Sequence, residues 1–133
     1  YMEVRRMTGV LGAQVSIPDV KTLSDLQVSE LRDLVCEHLV VVIPGQSLTA
    51  QQQAEFSLRW GQAGVVPFIE PSPDHPNVIR VLKEASDGNA FNFGGSWHSD
   101  FSFQPEPPAF TMLHAIMPIA AGGCIGIVRN VFE

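Results

Sequence analysis

Two helical stretches followed by β-rich sequence predict an α+β protein or a β-sandwich decorated with helices. Three observations carry that prediction. Ser24 with Gln27, and Thr49 with Gln52, have the spacing of capping boxes that open helices. Residues 39–43, Leu-Val-Val-Val-Ile, form an unbroken and mostly β-branched apolar run. Beyond residue 76 the apolar segments are short and are punctuated by proline and glycine, as strands are.

Taken in order, residues 9–20 read as a short strand that ends near Pro18. The helix opened by Ser24 places Leu31, Leu34, Val35 and His38 on one face, with Asp25, Glu30, Arg32 and Glu37 on the other. The apolar run 39–43 is expected to be a strand buried on both faces, stopped by Pro44-Gly45. A second helix runs from Thr49 to Trp60, with Phe56 and Trp60 inward and Gly61 in the capping position. Residues 64–76, with Pro67, Pro71, Pro73 and Pro76, read as loop. Strands are expected at 78–82, 97–103 and 110–117, separated by a Gly-rich loop and by Pro105 to Pro108. Pro118 and Gly122-Gly123 close the last of these.

At 133 residues, with no linker or repeat, residues 1–133 read as a single domain. A net charge of -6 argues against a nucleic-acid or anionic-membrane partner, which would select a basic face. No apolar run approaches the ~20 residues that span a bilayer. Cys36 and Cys124 are too few for a disulfide framework, so reduced thiols and a cytoplasmic location are expected. Cys36 reads as a small buried hydrophobe, and nothing near Cys124 marks it as a nucleophile. Gly-x-Ser-x-Gly, phosphate-loop and Cys-x-x-Cys motifs do not occur, which removes support for hydrolase, nucleotide-binding and thioredoxin-like functions.

The chemistry concentrates in residues 92–100, Asn-Phe-Gly-Gly-Ser-Trp-His-Ser-Asp. In a strand, His98 and Asp100 would project to the same face. One imidazole and one carboxylate are two thirds of the facial triad that holds a redox-active metal such as Fe(II) and leaves positions open for other ligands. Asn92, on the approach to this strand, is either a turn residue or part of a substrate pocket. The other histidines are less suggestive. His75 reads as a loop residue, His38 as a helix-end cap, and His114 as an ordinary residue of its strand.

These residues sit within a longer pattern. Leu11-Gly12-Ala13-Gln14-Val15, the block from Leu31 to Gln46, and Phe56 to Gly61 follow one another as in a known family. Gly-Gly-x-Trp-His-Ser-Asp, Pro107-Pro108, Leu113, Ala115, Pro118 and Gly122-Gly123 then recur in the same order. The chain resembles the taurine dioxygenase-like family of Fe(II)- and 2-oxoglutarate-dependent dioxygenases. The resemblance implies a mainly β, double-stranded β-helix (jelly roll) with flanking N-terminal helices, of which this chain is the N-terminal half. It implies His98 and Asp100 as metal ligands, Fe(II) as cofactor and 2-oxoglutarate as cosubstrate, with no further catalytic residue assigned. The reaction implied is hydroxylation of a small organic substrate by O2, with decarboxylation of 2-oxoglutarate to succinate and CO2. Trp97 and Phe101 would pack into the core behind the ligands, and Ser99 would be structural.

The pattern also departs from the family. The third ligand, a downstream histidine, and the arginine that holds 2-oxoglutarate have no assignable counterparts. The family's 2-oxoglutarate-binding threonine appears as Ile125 or is missing, and a break in the sequence is expected at Cys124–Ile125. Val66 and Ile69 stand where the taurine enzymes grip a sulfonate, so a less polar acid or ester is expected instead of taurine. Two other readings remain open: a degenerate, non-catalytic binding or structural member of the fold, and a metal oxygenase that uses no 2-oxoglutarate. Homo-oligomerisation is equally open.

Overall fold

The computed structural model describes residues 2–67, 69–82, 95–116 and 123–130. Asn92, the Gly-rich loop through Gly94, Pro118 and Gly122 lie outside these described residues. The described residues build one mixed five-stranded sheet. Its strands are β1 (Glu3–Arg6), β2 (Ala13–Ser16), β3 (Val40–Pro44), β4 (Phe110–Ala115) and β5 (Cys124–Arg129). The spatial order is β1-β2-β3-β5-β4. Only β2 and β3 are parallel; the other neighbours run antiparallel.

Helix α1 (Asp25–His38) makes the crossover that the parallel pair requires. Its capping box forms as the sequence predicts: the Ser24 hydroxyl accepts from Gln27 N, and Gln27 Oε1 accepts from Ser24 N at 2.9 Å. Val28, Leu31, Val35 and His38 face inward. Burying an aliphatic side chain of this size contributes about 1.5–3 kcal/mol, so this stripe fixes α1 on the sheet. The helix stops at Leu39, whose φ of 66° turns the chain directly into β3 while its N–H caps Val35 O. A residue with a Cβ pays about 1–2 kcal/mol there, where glycine is usual. Helix α2 (Ala50–Leu58) forms under the Thr49–Gln52 box, and Phe56 packs edge-on to Trp60 with centroids 6.1 Å apart.

Among the described residues, the core lies on one side of the sheet. Val41 and Ile43 of β3 and Ile125 and Ile127 of β5 are fully buried beneath α1, joined by Val15, Val20, Leu31, Val35, Phe56 and Trp60. Phe110 and Met112 of β4 pack against the same cluster. The intervening residues Val40 and Val42 are half-buried, which corrects the expectation of a strand buried on both faces. The continuous apolar run hides an alternating strand, because both valine positions look alike in sequence.

Three further expectations change. Residues 78–82 join no strand, and Val81 and Leu82 are exposed. Residues 97–103 are bends and turns, with Phe101 at a φ of 51°. β1 and β5 appear where no strand was expected; all four β1 residues are exposed, so they carry no apolar alternation. In the sequence as it stands, Cys124 and Ile125 lie in β5, paired with Pro44 and Ile43 on one side and with Ala115 and His114 on the other.

Gln46 locks the end of β3 to the rest. Its buried amide accepts from Val20 N at 3.0 Å and donates to Ile17 O at 2.7 Å and Pro44 O at 3.2 Å. Gly123 O accepts from both Gly45 N and Gln46 N. No room exists for a side chain there: a Cβ on Gly123 would lie 2.5 Å from Gln46 O and 3.0 Å from Ala115 O.

Candidate metal site

Alternation along β4 sorts its residues between two unlike faces. Phe110, Met112 and His114 turn to the core, while Thr111, Leu113 and Ala115 turn to the face opposite α1. The Thr111 hydroxyl donates to Asp100 Oδ2 at 2.9 Å, so Asp100 sits on that opposite face. The segment 95–104 is held there without a strand ladder. Gln104 N donates to Phe101 O, Gln104 Nε2 donates to Val65 O at 2.8 Å, and the Ser99 and Ser102 hydroxyls meet at 2.9 Å.

His98 and Asp100 come together, though not by the strand geometry expected of them. His98 Nε2 lies 3.3 Å from Asp100 Oδ1. His98 Nδ1 lies 2.7 Å from Ser96 O. A carbonyl oxygen only accepts, so Nδ1 carries a proton, and in a neutral imidazole Nε2 is then a bare acceptor. With the ring neutral, Nε2 and Oδ1 are two acceptors facing each other, and either a proton on Nε2 or a metal cation between them joins the two. Donation of the remote ring N–H to a carbonyl is also the usual arrangement of a metal-bound histidine. Two donors bound at right angles, each with a metal bond of about 2.1 Å, stand about 3 Å apart, close to the observed spacing. The pair therefore fits a divalent metal. Half of the imidazole surface (49%) and a third of the carboxylate (32%) are open, so other ligands can approach.

Other expected residues fall elsewhere. Trp97 is fully exposed (104%) and packs against no core, because the bends at 96–97 turn it outward. Phe101 stacks edge-on to Phe103 and is not part of the core. His114 lies on the core face, with Nε2 3.4 Å from Gln46 O and Nδ1 buried without a partner; it does not join His98 and Asp100. Ile125 is fully buried on that same core face and presents nothing to the metal pair. Val66 and Ile69 are half-buried in an irregular segment beside 104. Cys36 and Cys124 are free thiols, both half-buried. His38 is buried at the end of α1 beside Glu37, with no hydrogen bond to a helix carbonyl. Among the described residues, no group of three or more His, Cys, Asp or Glu assembles. No helix among them is long and apolar enough to cross a membrane.

The sequence reading missed Thr111 and Asn130. Asn130 Nδ2 donates to Thr111 Oγ1 at 2.9 Å and to Pro108 O at 3.0 Å. The available signal was the one hydroxyl residue of β4, out of phase with its core-facing neighbours.

A His-x-Asp pair able to hold a divalent metal, carried beside a mixed sheet, is the kind of site a non-haem oxygenase uses. The chain belongs to the family described as taurine catabolism dioxygenase TauD, TfdA family, whose pattern matches residues 3–128. It is 30% identical over 133 residues to pentalenolactone F synthase of Streptomyces avermitilis, covering 92% of this chain and 43% of that protein. It is 24% identical to an alpha-ketoglutarate-dependent sulfonate dioxygenase of Saccharomyces cerevisiae, covering 92% of this chain and 32% of that one. Its fold superposes on the crystal structure of AAD-2 in complex with Mn(II) and N-oxalylglycine with a TM-score of 0.59 and 26% identity, covering 86% of this chain and 37% of that one. The chain spans less than half the length of these relatives.

Proposed function

We propose that this chain is the N-terminal, metal-binding part of an Fe(II)- and 2-oxoglutarate-dependent dioxygenase that hydroxylates a small organic substrate. The observation that carries the reading is the approach of His98 Nε2 to Asp100 Oδ1 at 3.3 Å, with His98 Nδ1 on Ser96 O and Asp100 Oδ2 on Thr111. His98 and Asp100 would hold the metal, and Ser96 O would keep the imidazole in its metal-ready tautomer. When bound, Fe(II) with 2-oxoglutarate and O2 supplies oxidative decarboxylation, giving succinate, CO2 and the hydroxylated product. The protein's own part is to bind, orient and exclude water.

In this reading the sheet is part of a double-stranded β-helix, and residues 1–133 form its N-terminal half. Val66 and Ile69 favour a substrate less polar than a sulfonate, and the free thiols favour a cytoplasmic location. The relatives' dependence on alpha-ketoglutarate supports the choice of cosubstrate. The observation favouring a degenerate binding member is that the described residues hold no third ligand.

The test is anaerobic addition of Fe(II) and 2-oxoglutarate to the purified protein. A weak visible charge-transfer band is expected, and His98→Ala should abolish it. A band that survives His98→Ala overturns the ligand assignment. Formation of succinate with oxygen uptake separates an enzyme from a degenerate member.

A further inference from the structure

We infer that Thr111 is a positioning residue for Asp100, and that Asn130 orients the Thr111 hydroxyl for that task; the inference rests on the metal reading above. Asp100 lies in a segment of bends, with no ladder of backbone hydrogen bonds to hold its side chain. Its Oδ2 is instead tied to the sheet through Thr111 Oγ1 at 2.9 Å. A threonine hydroxyl has one proton to donate and lone pairs to accept with. An ionised carboxylate only accepts, so the proton goes to Asp100. Asn130 Nδ2 supplies the complementary donor at 2.9 Å, which fixes the hydroxyl rotor in that direction.

Asn130 is itself anchored. Its two amide hydrogens are spent on Thr111 Oγ1 and Pro108 O, and its backbone N–H donates to Ala109 O at 2.9 Å. Thr111 pairs with Val128 in the β4–β5 ladder, and Asn130 follows β5 directly, so the sheet register sets the distance between them. The consequence is a division of labour within one carboxylate. Oδ2 is held by the sheet, and Oδ1 is left beside His98 Nε2 to bind through one oxygen. Without the hydroxyl, the Asp100 side chain is free to rotate and to present either oxygen.

The experiment is a titration of the purified protein with Mn(II), followed by loss of the free-ion electron paramagnetic resonance signal. Thr111→Val keeps the shape and the β-branching but removes the hydroxyl. Replacing a group that orients a metal ligand costs about 10–100-fold in affinity, and about tenfold weaker binding is expected here. Thr111→Ser restores the hydroxyl and should bind within about threefold of the parent. Asn130→Ala should weaken binding by an intermediate factor, and it serves as the second probe if Thr111→Val does not fold. A purely structural role for Thr111 would lower the melting temperature of Thr111→Val and Thr111→Ser alike without sorting them by metal affinity. Parent-like affinity in Thr111→Val, or in Asn130→Ala where only that variant folds, overturns the inference. Parent-like affinity in His98→Ala and Asp100→Ala instead overturns the metal reading beneath it.

Discussion

Replacing Gly123 by alanine tests the packing account with a single methyl group. The new Cβ would lie 2.5 Å from Gln46 O and 3.0 Å from Ala115 O, both backbone atoms that cannot swing aside as a side chain would. Ordinary carbon–oxygen contact begins near 3.4 Å, so β5 must retreat from the end of β3 by most of an ångström. Overpacking of this kind costs about 1–3 kcal/mol. The retreat also stretches the bonds from Gly45 N and Gln46 N to Gly123 O, at about 1 kcal/mol for each one lost. A total near 3 kcal/mol corresponds to about 10 °C in melting temperature for a chain of this size. Gly126→Ala is the control, because a Cβ there meets nothing within 4 Å. Thermal unfolding followed by circular dichroism should therefore separate two glycines only three residues apart. A Gly123→Ala protein that melts within about 2 °C of the parent would show that the close approach does not constrain this strand pair.

Gln46→Leu removes three hydrogen bonds and leaves Val20 N and Ile17 O buried without partners, so urea unfolding should show a loss of about 2–4 kcal/mol. Ser24→Ala and Thr49→Ala each delete one half of a capping box and should cost about 1 kcal/mol apiece, additive in the double variant because the two caps share no partner. Trp97→Ala should change stability by less than about 0.5 kcal/mol, since the ring is fully exposed; a loss of 2 kcal/mol or more would mean it packs into a core after all.

Legibility in the sequence followed the strength of local signals. Both helices could be read because Ser24–Gln27 and Thr49–Gln52 are complete start signals with an apolar stripe behind them. β4 could be read because Pro107-Pro108 delimit an apolar run. β1 could not, since Glu3–Arg6 lies on the sheet edge with every side chain exposed, and it pairs to β2 through backbone hydrogen bonds and the Arg5–Gln14 side-chain bond without an apolar face. β5 was hidden by Gly126 and by the expectation of a break at Cys124, although Ile125 and Ile127 carry the alternation that buries it. The opposite error arose at 97–103, where aromatic residues suggested a strand and the positive φ of Phe101 instead reverses the chain. His98 and Asp100 could be named from their spacing. Their tautomer and their single free oxygen could not, because both depend on Ser96 O and on Thr111, which tertiary structure brings alongside.

The central claim is that one metal ion sits against both His98 and Asp100. Crystals of the protein soaked in Mn(II), with anomalous diffraction measured at the manganese edge, address it directly. The account predicts an anomalous peak within bonding distance of both His98 Nε2 and Asp100 Oδ1, while Asp100 Oδ2 stays on Thr111. A direct His98–Asp100 hydrogen bond, with manganese absent or bound elsewhere, would contradict it.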